Sequence, residues 1–356
     1  MIETSLSTKG ELDRPSRLRR SMLVAACVAL IGSAAGAQEK QPLRLVAFAG
    51  ASNWPVWIGQ KNGFFANENL DVTIEITPNS RQMASDVFGG KYDIALTSID
   101  NVVSYVEGQG DLRLPGNVDF AAFMGVDDGM LALMGAPGTT SIGDLKGKDL
   151  SVDALTTGFA FVLRDALMKS GFKADEIRFT EVGGGLQRLA ALREGKQSAT
   201  LLNAPLDIVA ENAGAVRLAD MRELIGSYQG ICGMARRGWL DANREKAKAF
   251  VRSFHASVAW LTDPANKRDA IAILRERMAN LETELVDRVY ERLTDQRHGI
   301  KRDMAIDQEG FAKVLSLRST YSSSGVTLSN PARYIDESIR KEALGVRQEQ
   351  RSPTAK

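Results

Sequence analysis

Residues 43–76 read LRLVAFAGASNWPVWIGQKNGFFANENLDVTIEI, and this stretch decides the fold. It begins with apolar residues that alternate with Arg44, which predicts a strand, and it ends with a second alternating strand over residues 71–76. Between them, a small polar turn suited to N-capping precedes a predicted helix over residues 54–62, which Gly63 ends. A strand, a helix and a strand in such close succession predict a βαβ unit with parallel strands.

The same rhythm continues through the first two thirds of the chain. Strands are predicted at 92–96, 149–152, 177–182 and 199–202, and helices at 78–88, 99–107, 159–170 and 183–193. Farther on, apolar residues recur at helical spacing and predict core-facing helices, at Ala247, Phe250, Val251, Phe254, Val258, Leu261, Leu285, Val289, Leu293, Phe311, Val314 and Leu315. The pattern predicts an α/β protein of two lobes, each a mostly parallel sheet flanked by helices. We expect lobe 1 to comprise residues 42–127 and 226–345, lobe 2 residues 128–225, and a disordered tail residues 346–356.

Residues 1–37 have a different composition and predict export. Four arginines, the last two at Arg19 and Arg20, precede an apolar run over residues 21–37 that ends in Ala-Gly-Ala. A basic segment, a short apolar run and an A-x-A site predict a secretory signal peptide, cleaved near Ala37, and a periplasmic location. The run is shorter than the ~20 residues of a spanning helix. Whether export uses the Sec or the twin-arginine route, and whether Cys27 is lipidated, stays open.

Charge and composition argue against several classes of protein. The chain has 45 basic and 44 acidic residues, a balance that gives no reason to expect nucleic acid or an anionic membrane as a partner. Its two histidines, His255 and His298, have no metal-ligand spacing, so we expect no metal and no other cofactor. The scarcity of His and Cys also argues against nucleophilic catalysis, and we predict that the protein is not an enzyme. Cys232 lies in an apolar segment and is predicted to be buried.

Three segments resemble one family of transport proteins. They are QKNGFFANENLDV at 60–72, GGKYDIA at 89–95 and IGDLKGKDLSV at 142–152. In this order they resemble solute-binding proteins of ABC importers of the nitrate/sulfonate/taurine type, a family that includes thiamine-precursor-binding relatives. The resemblance covers about residues 43–262 and implies a type II periplasmic-binding-protein fold, in which two hinge crossings join the lobes and the ligand lies in the cleft. Asn69 stands where the family usually has glycine, and residues 79–82 replace a more glycine-rich turn.

Candidate ligand-binding residues follow the predicted strands, because parallel sheets bind ligands at their carboxyl ends, where helix N-termini converge and favour anions. With two residues at the predicted hinge crossings, they are Ser52, Asn53, Trp54, Ser80, Arg81, Gln82, Thr97, Ser98, Asp127, Thr156, Thr157, Gly184, Asn203 and Tyr228. Many of these could act only as helix caps, and that alternative stays open. Arg81 could pair bidentately with a carboxylate or sulfonate. Trp54 could line the cleft, with Trp57 in the core, and Asp127 would favour an amino-bearing ligand.

The sequence therefore predicts the substrate-binding component of an ABC importer, which captures a small organic anion, a sulfonate or carboxylate, by hinge closure. We expect a monomer whose partners are its ligand and a membrane permease. One alternative is a heteroaromatic ligand resembling a thiamine precursor, which Trp54 and Tyr228 would suit. Another is an enzyme on the same fold, although the histidine and cysteine-rich motif of those relatives is missing. A transcription-factor effector domain is a third, but no helix-turn-helix segment precedes the first lobe.

Overall fold

The structure is a computed structural model that describes residues 39–278 and 281–346. Its strands are β1 (Gln41–Ala47), β2 (Leu70–Ile76), β3 (Ile94–Ser98), β4 (Phe120–Gly125), β5 (Leu131–Gly135), β6 (Asp149–Val152), β7 (Arg178–Glu181), β8 (Ala199–Asn203), β9 (Val216–Asp220) and β10 (Ile231–Arg236). The α-helices are α1 (Trp54–Lys61), α2 (Phe64–Asn67), α3 (Ser80–Phe88), α4 (Ile99–Val106), α5 (Gly158–Lys169), α6 (Gly185–Arg193), α7 (Leu206–Asn212), α8 (Met221–Ile225), α9 (Arg237–Ala242), α10 (Arg244–Leu261), α11 (Lys267–Arg277), α12 (Thr283–Thr294), α13 (Gln308–Tyr321) and α14 (Ser338–Ala343).

The strands form two five-stranded sheets that share one design. The first has the order β2-β1-β3-β10-β4, in which β1 pairs in parallel with β2 and β3, and β10 is antiparallel to both its neighbours. The second has the order β7-β6-β8-β5-β9, in which β6 pairs in parallel with β7 and β8, and β5 is the antiparallel strand. The predicted two-lobed α/β class is confirmed, with one strand of each sheet opposed to the other four.

The antiparallel strands were not predicted from the sequence, nor were the edge strands β4 and β9. The segments of β4, β5 and β10 are short apolar runs without a clear alternation, and such runs do not distinguish a buried strand from a buried helix segment. The parallel units were easier to predict because a Gly- or polar-rich turn and an amphipathic helix follow each strand. Their bounds agree with the predicted ones to within about two residues.

Two connections carry the chain between the sheets, and they are bonded to each other. One follows β4 at Val126 and the other precedes β10. The side-chain amide of Gln229 donates to the carbonyl of Asp127 at 2.9 Å, and the backbone N–H of Gly230 donates to the same carbonyl at 3.1 Å. These buried hydrogen bonds join the two connections to each other, so the chain passes between the sheets at a single place.

The helices of the C-terminal third pack as their apolar spacing predicts. The twelve core-facing residues named above on α10, α12 and α13 are all buried. Helix α10 packs on α1 beside the first sheet, whereas α13 contacts α4 and also α5, the helix that follows β6 of the second sheet. Helix α13 therefore contacts both halves of the protein, and its start lies beside the second crossing, where the backbone N–H of Asp307 donates to the side chain of Gln229 at 2.7 Å.

The predicted signal peptide, with Arg19, Arg20 and Cys27, lies outside the described residues, and so do residues 347–356 of the predicted tail. Within the described part of the chain, every helix is too short or too polar to cross a membrane. The division into lobes at residues 127 and 225 stays a prediction.

Candidate ligand-binding site between the two sheets

A cavity of about 60 Å³ lies where the carboxyl ends of the parallel strands of both sheets meet. Its lining from the first sheet and its loops is Phe48, Ala49, Ser98, Asn101 and Ile231. Its lining from the second is Asp153, Thr157, Gly158, Phe159, Gly184, Gly185, Arg188 and Asn203. These positions end or follow β1, β3, β6, β7 and β8, except Ile231, which begins the antiparallel β10, as expected for a ligand site of an open α/β sheet.

Arg188, on α6, is the most unusual residue of this cavity. It is only 5% exposed, yet Leu201 is the only acceptor it has among the described residues, with a carbonyl 2.9 Å from Nη1. Its Nε is buried without a partner. Burial lowers the pKa of Arg188, and the charge of Asp153 acts in the opposite direction. A guanidinium has five donors in a planar fork, so Arg188 keeps donors in reserve for a group in the cavity.

Asp153 follows β6 and is the second charged residue in the lining. Its Oδ2 accepts a long hydrogen bond of 3.3 Å from the backbone N–H of Ser80, at the start of α3 in the other half. Its Oδ1 is buried without a partner. Among the ion pairs of the described residues, none joins Asp153 to Arg188. The cavity thus contains two opposite charges that do not neutralise each other by direct contact.

Hydrogen bonds cross the cleft on both sides of the cavity. The N–H of Gly184 donates to the carbonyl of Pro78 at 3.0 Å, and the N–H of Ala51 donates to the carbonyl of Ala204 at 2.9 Å. The two halves approach each other closely at Gly184, because a Cβ on this residue would lie 2.8 Å from the carbonyl oxygen of Pro78. The two sheets therefore face each other in a closed arrangement, which accounts for the small volume of the cavity.

A buried ion pair of the first half also contacts the second half. Arg318 of α13 donates through Nε to Asp100 of α4 at 2.7 Å, and through Nη2 to the carbonyl of Thr156 at 2.8 Å. Arg318 is fully buried and Asp100 is 2% exposed. Gly158, two residues after Thr156, lies so close to Asp100 that a Cβ on Gly158 would lie 2.4 Å from the Cγ of Asp100. This contact seats the start of α5 against the first half.

Four of the predicted ligand-binding residues line the cavity: Ser98, Thr157, Gly184 and Asn203. The Oγ of Ser98 is buried near the hydroxyl of Tyr228, and neither group has a hydrogen-bond partner of good geometry among the described residues. The hydroxyl of Thr157 donates to the carbonyl of Ala154 at 2.9 Å and acts inside its own turn. The cavity thus lies at the sheet edges where the sequence placed these candidates, and their contact with a ligand stays a prediction.

A second group of predicted residues organises the crossings and the turns near the cavity. Ser52 donates to the carboxylate of Asp127 at 2.8 Å, and the N–H groups of Gly129 and Ile231 donate to its other oxygen at 2.9 and 3.1 Å. Burial raises the pKa of Asp127, against the effect of these hydrogen bonds. Its acceptors are thus occupied by the protein, and Asp127 is not available to an amino-bearing ligand. Tyr228 is buried beside Phe159, with ring centroids 6.4 Å apart.

Trp54 lies in the core and not in the cleft, which corrects the expectation from the sequence. It is fully buried, its Nε1 donates to the carbonyl of Ala270 at 3.1 Å, and its ring meets Tyr290 edge to face at 6.1 Å. Packing against α11 and α12 buries a large apolar surface and satisfies the indole N–H at the same time. Trp57, 8% exposed, packs in the same core as expected.

Arg81 does not line the cavity either. Its Nε donates to Asp111 at 2.8 Å, and 56% of its side chain is exposed. Nε and Nη2 of Arg81 both donate to Oδ2 of Asp111, so a carboxylate of the protein takes the place that we had expected a ligand to take. The remaining predicted residues bond within the protein: Gln82 to Asp86, Asn53 to the carbonyl of Phe48, Thr97 to Asn101, Ser80 to Asp153 and Thr156 to Arg318.

A larger cavity of about 530 Å³ lies beside the first crossing and is lined largely by charged residues. Each of its two arginines lies near a carboxylate. Arg292 lies 3.3 Å from Asp220, and Arg222 lies 3.6 Å from Asp128, which Lys301 also approaches at 3.1 Å. Since its cations have protein carboxylates as partners, this space is a weaker candidate for ligand binding than the cavity that holds Arg188.

The described residues contain no cluster of three or more His, Cys, Asp or Glu that could hold a metal ion. Cys232 on β10 is fully buried, and burial raises the pKa of its thiol. The expectation that Cys232 is a buried small side chain is confirmed.

Comparisons with known proteins agree with this geometry. The sequence model of the NMT1-like family matches residues 36–275. The ligand-binding component of an ABC-type import system from Staphylococcus aureus, solved with zinc bound, superposes with a TM-score of 0.69 at 15% identity, over 85% of this chain and 99% of that one. The nitrate-binding protein NrtA from Synechocystis gives 0.68 at 13% identity, over 86% and 89%.

The aliphatic sulphonate-binding protein SsuA from Escherichia coli gives a TM-score of 0.62 at 16% identity, over 81% of this chain and 94% of that one. No curated protein matches the chain. At such low identities the structural matches establish the fold alone. They confirm the periplasmic-binding-protein fold that the three sequence segments implied.

Proposed function

We propose that this chain, which belongs to the NMT1-like family, is the solute-binding component of an ABC importer and captures a small organic anion. The ligand is a sulfonate or a carboxylate, held in the cavity between the two sheets. The importer's permease is the partner that receives it, and the periplasm is where capture takes place. NrtA and SsuA, which share the fold, are described as binding nitrate and aliphatic sulphonates, and both ligands are anions.

Arg188 is the observation that carries this proposal. A buried cation with unused donors is costly unless a partner of opposite charge reaches it. Among the described residues no carboxylate pairs with Arg188, so an anionic group of the ligand supplies the missing partner. The small residues Gly184 and Gly185 leave room for such a group, and the hydroxyl of Ser98 in the same lining can donate to it.

The volume of the cavity agrees with a small acidic head group. A water molecule needs about 10–15 Å³ of such space, so about 60 Å³ admits a group of a few heavy atoms. A sulfonate or carboxylate with a short carbon chain has this size. Entry requires the halves to separate, because hydrogen bonds such as that from Gly184 to Pro78 close the cleft. Binding therefore proceeds by hinge motion about the bonded crossings.

Isothermal titration calorimetry of the purified protein against short sulfonates and carboxylates tests the proposal. We expect saturable binding of at least one acid without a chemical product, and an affinity about 30-fold or more lower in Arg188→Gln, because the anion then faces a neutral group in a buried site. Arg193→Gln is the matched control, since Arg193 is an exposed arginine on the same helix, and it should bind normally. Equal affinity of wild type and Arg188→Gln for every acid would contradict the anion site, and turnover of a ligand would contradict the receptor.

A heteroaromatic ligand is the second candidate, because two aromatic side chains line the cavity. Phe48 and Phe159 line the cavity from opposite halves, and a flat ring could stack on either of them. A pyrimidine tested in the same titrations separates the two candidates. A heteroaromatic ligand predicts a large loss in Phe159→Leu and a small one in Arg188→Gln, whereas the proposed anion predicts the reverse.

A further inference from the structure

Helix α12 is held in the first half of the protein by its apolar face. The buried residues of this face are Leu285, Val286, Val289, Tyr290 and Leu293. They share a core with α1 and α11, and the ring of Tyr290 meets Trp54 edge to face. Lys267 of α11 adds an ion pair, 2.9 Å from Asp287. Helix α12 also contacts α7 of the second half, so it lies where the two halves meet.

The charged residues at this boundary form two matched rows. Arg288 and Arg292 lie one turn apart on α12, and Asp207 and Glu211 lie one turn apart on α7. Nη2 of Arg288 donates to Glu211, and Nη2 of Arg292 donates at 3.3 Å to Asp220, which ends β9. Nη2 of Arg292 also lies 3.5 Å from Asp207. Each of these two arginines of α12 therefore has a carboxylate of the second half as its partner.

The charges on the second half of this cluster do not balance by themselves. Its three carboxylates, Asp207, Glu211 and Asp220, lie beside one arginine of their own half, Arg217. Arg217 donates to Asp207 at 2.7 Å and also pairs with Glu211. Three negative charges and one positive charge leave an excess of two negative charges, and the two arginines of α12 neutralise it. The boundary is therefore electrostatically complementary when the halves are closed.

We propose that Arg288 and Arg292 are positioning residues that hold the two halves closed, including before a solute arrives. This inference rests on the hinge motion of the proposed function and goes beyond it. Neither arginine lines the cavity that contains Arg188, so both act through the arrangement of the halves and not by contact with the solute. A solute that fits the closed arrangement binds more weakly when a smaller fraction of the protein is closed. These two side chains therefore contribute to affinity from outside the binding cavity.

Hydrogen exchange of the purified protein without ligand, resolved to single amides, tests this inference. Two backbone N–H groups donate across the cleft, that of Ala51 to Ala204 and that of Gly184 to Pro78. Both hydrogen bonds break when the halves separate, so the exchange rates of these two cleft amides follow the open fraction. The amides inside β1 and β8 are bonded within a single sheet, and their exchange rates report the stability of each half.

In Arg288→Gln/Arg292→Gln we expect both cleft amides to exchange about three- to tenfold faster, because the ion pairs that are lost are partly exposed and each contributes little alone. The amides inside β1 and β8 should keep their wild-type rates. Unfolding of the whole chain would instead accelerate all of these amides together. The comparison thus separates opening of the cleft from a loss of folding stability.

Two further variants complete the test. Arg288→Lys/Arg292→Lys keeps the charges at contacts that each use one nitrogen, so its cleft amides should stay within about twofold of wild type. Arg268→Gln/Arg275→Gln removes the same charge from exposed positions on α11 and should also leave the cleft amides unchanged.

Unchanged cleft amides in Arg288→Gln/Arg292→Gln would overturn the inference, and so would rapid exchange of both amides in wild type. Equal acceleration in the lysine variant or in the α11 variant would show that these ion pairs are not what keeps the halves closed. No ligand takes part in these measurements. A negative result therefore leaves the solute-binding role standing, and that role is decided by the titrations with Arg188→Gln.

Discussion

The two sheets have the same strand order, yet the charged groups at their carboxyl ends are in opposite states. On the side of the first sheet the charges near the cleft are already neutralised, Asp100 by Arg318 and Arg81 by Asp111. On the side of the second sheet, Asp153 and Arg188 face the cavity with unused bonding atoms. Both halves thus form the cleft with the same topology, but the charged side chains with unused hydrogen-bonding atoms lie in the second half.

This difference has a physical cause in where the C-terminal helices pack. Helix α13 brings Arg318 to Asp100. Asp127, at the first crossing, accepts from Ser52, which follows β1, and from the backbone N–H groups of Gly129 and Ile231. No described helix of the C-terminal third brings a carboxylate to Arg188. The first wall of the cleft, formed by the first sheet and its loops, thus has its charges paired within the protein. The second wall, formed by the second sheet and its loops, has charged groups that a ligand can pair with.

The largest expected effect is on the pair that closes the first wall. Arg318→Met removes the partner of a buried carboxylate and should reduce the free energy of unfolding by about 3–5 kcal/mol, measured by urea denaturation. The variant also loses the hydrogen bond to Thr156 and the contact of the guanidinium over Phe161, 4.9 Å from the ring centroid. The variant should therefore lose both stability and the contacts that hold the start of α5 against the first half.

Adding Asp100→Asn to Arg318→Met should restore much of the lost stability, because no uncompensated charge remains buried. Arg333→Met is the matched control, since that arginine pairs with Glu107 at an exposed position and should lose far less. If Arg318→Met unfolds like wild type, the first wall is not held by its internal charges, and the comparison between the walls fails.

The next effect concerns the pH dependence of the carboxylate at the crossings. Burial raises the pKa of Asp127 above its ordinary value of 3.8, so the native state holds the proton at pH values where the unfolded chain has released it. Stability from this group is therefore greatest at low pH and decreases as the pH rises from the ordinary value through the raised one.

Asp127→Asn removes this dependence while keeping the hydrogen bonds, because an amide oxygen can accept from Gly129 and Ile231, and its NH₂ can donate to Ser52. The unfolding free energy of the variant should therefore rise relative to wild type as the pH increases across this window. Urea titrations from the acidic carboxyl range to neutral pH measure the difference. Parallel curves for the two proteins would show that burial does not disfavour this charge.

Most of the fold could be predicted from residues that repeat a simple period. The alternation in residues 43–76 and the glycine that ends each helix specify parallel units, and the stripe on α10 specifies a core face. The order of strands across a sheet depends on contacts between distant segments, and a local period does not contain that information. The antiparallel position of β10 between β3 and β4 is the clearest example.

The site was only half predictable for a related reason. Ser98 and Asn203 end strands β3 and β8, and Thr157 lies in the turn after β6, so the position of the cavity could be derived from the fold. Arg188 lies inside α6, in a sequence that is also typical of an exposed helix face, and only the packing of that helix buries it. The three glycines before it, residues 183–185, were the one local signal, because they allow the backbone to approach a ligand closely.

The smallest expected effect tests whether the first wall takes any part in recognition. Arg81→Ala should change the affinity for the acid by less than about twofold, because the guanidinium is more than half exposed and already paired with Asp111. The same calorimetry that follows Arg188→Gln measures it, so the two arginines are compared under identical conditions. A tenfold loss in Arg81→Ala would mean that Arg81 exchanges Asp111 for the ligand during capture. Recognition would then be shared by both walls, and the pairing seen in the closed form would be a resting contact of the first one.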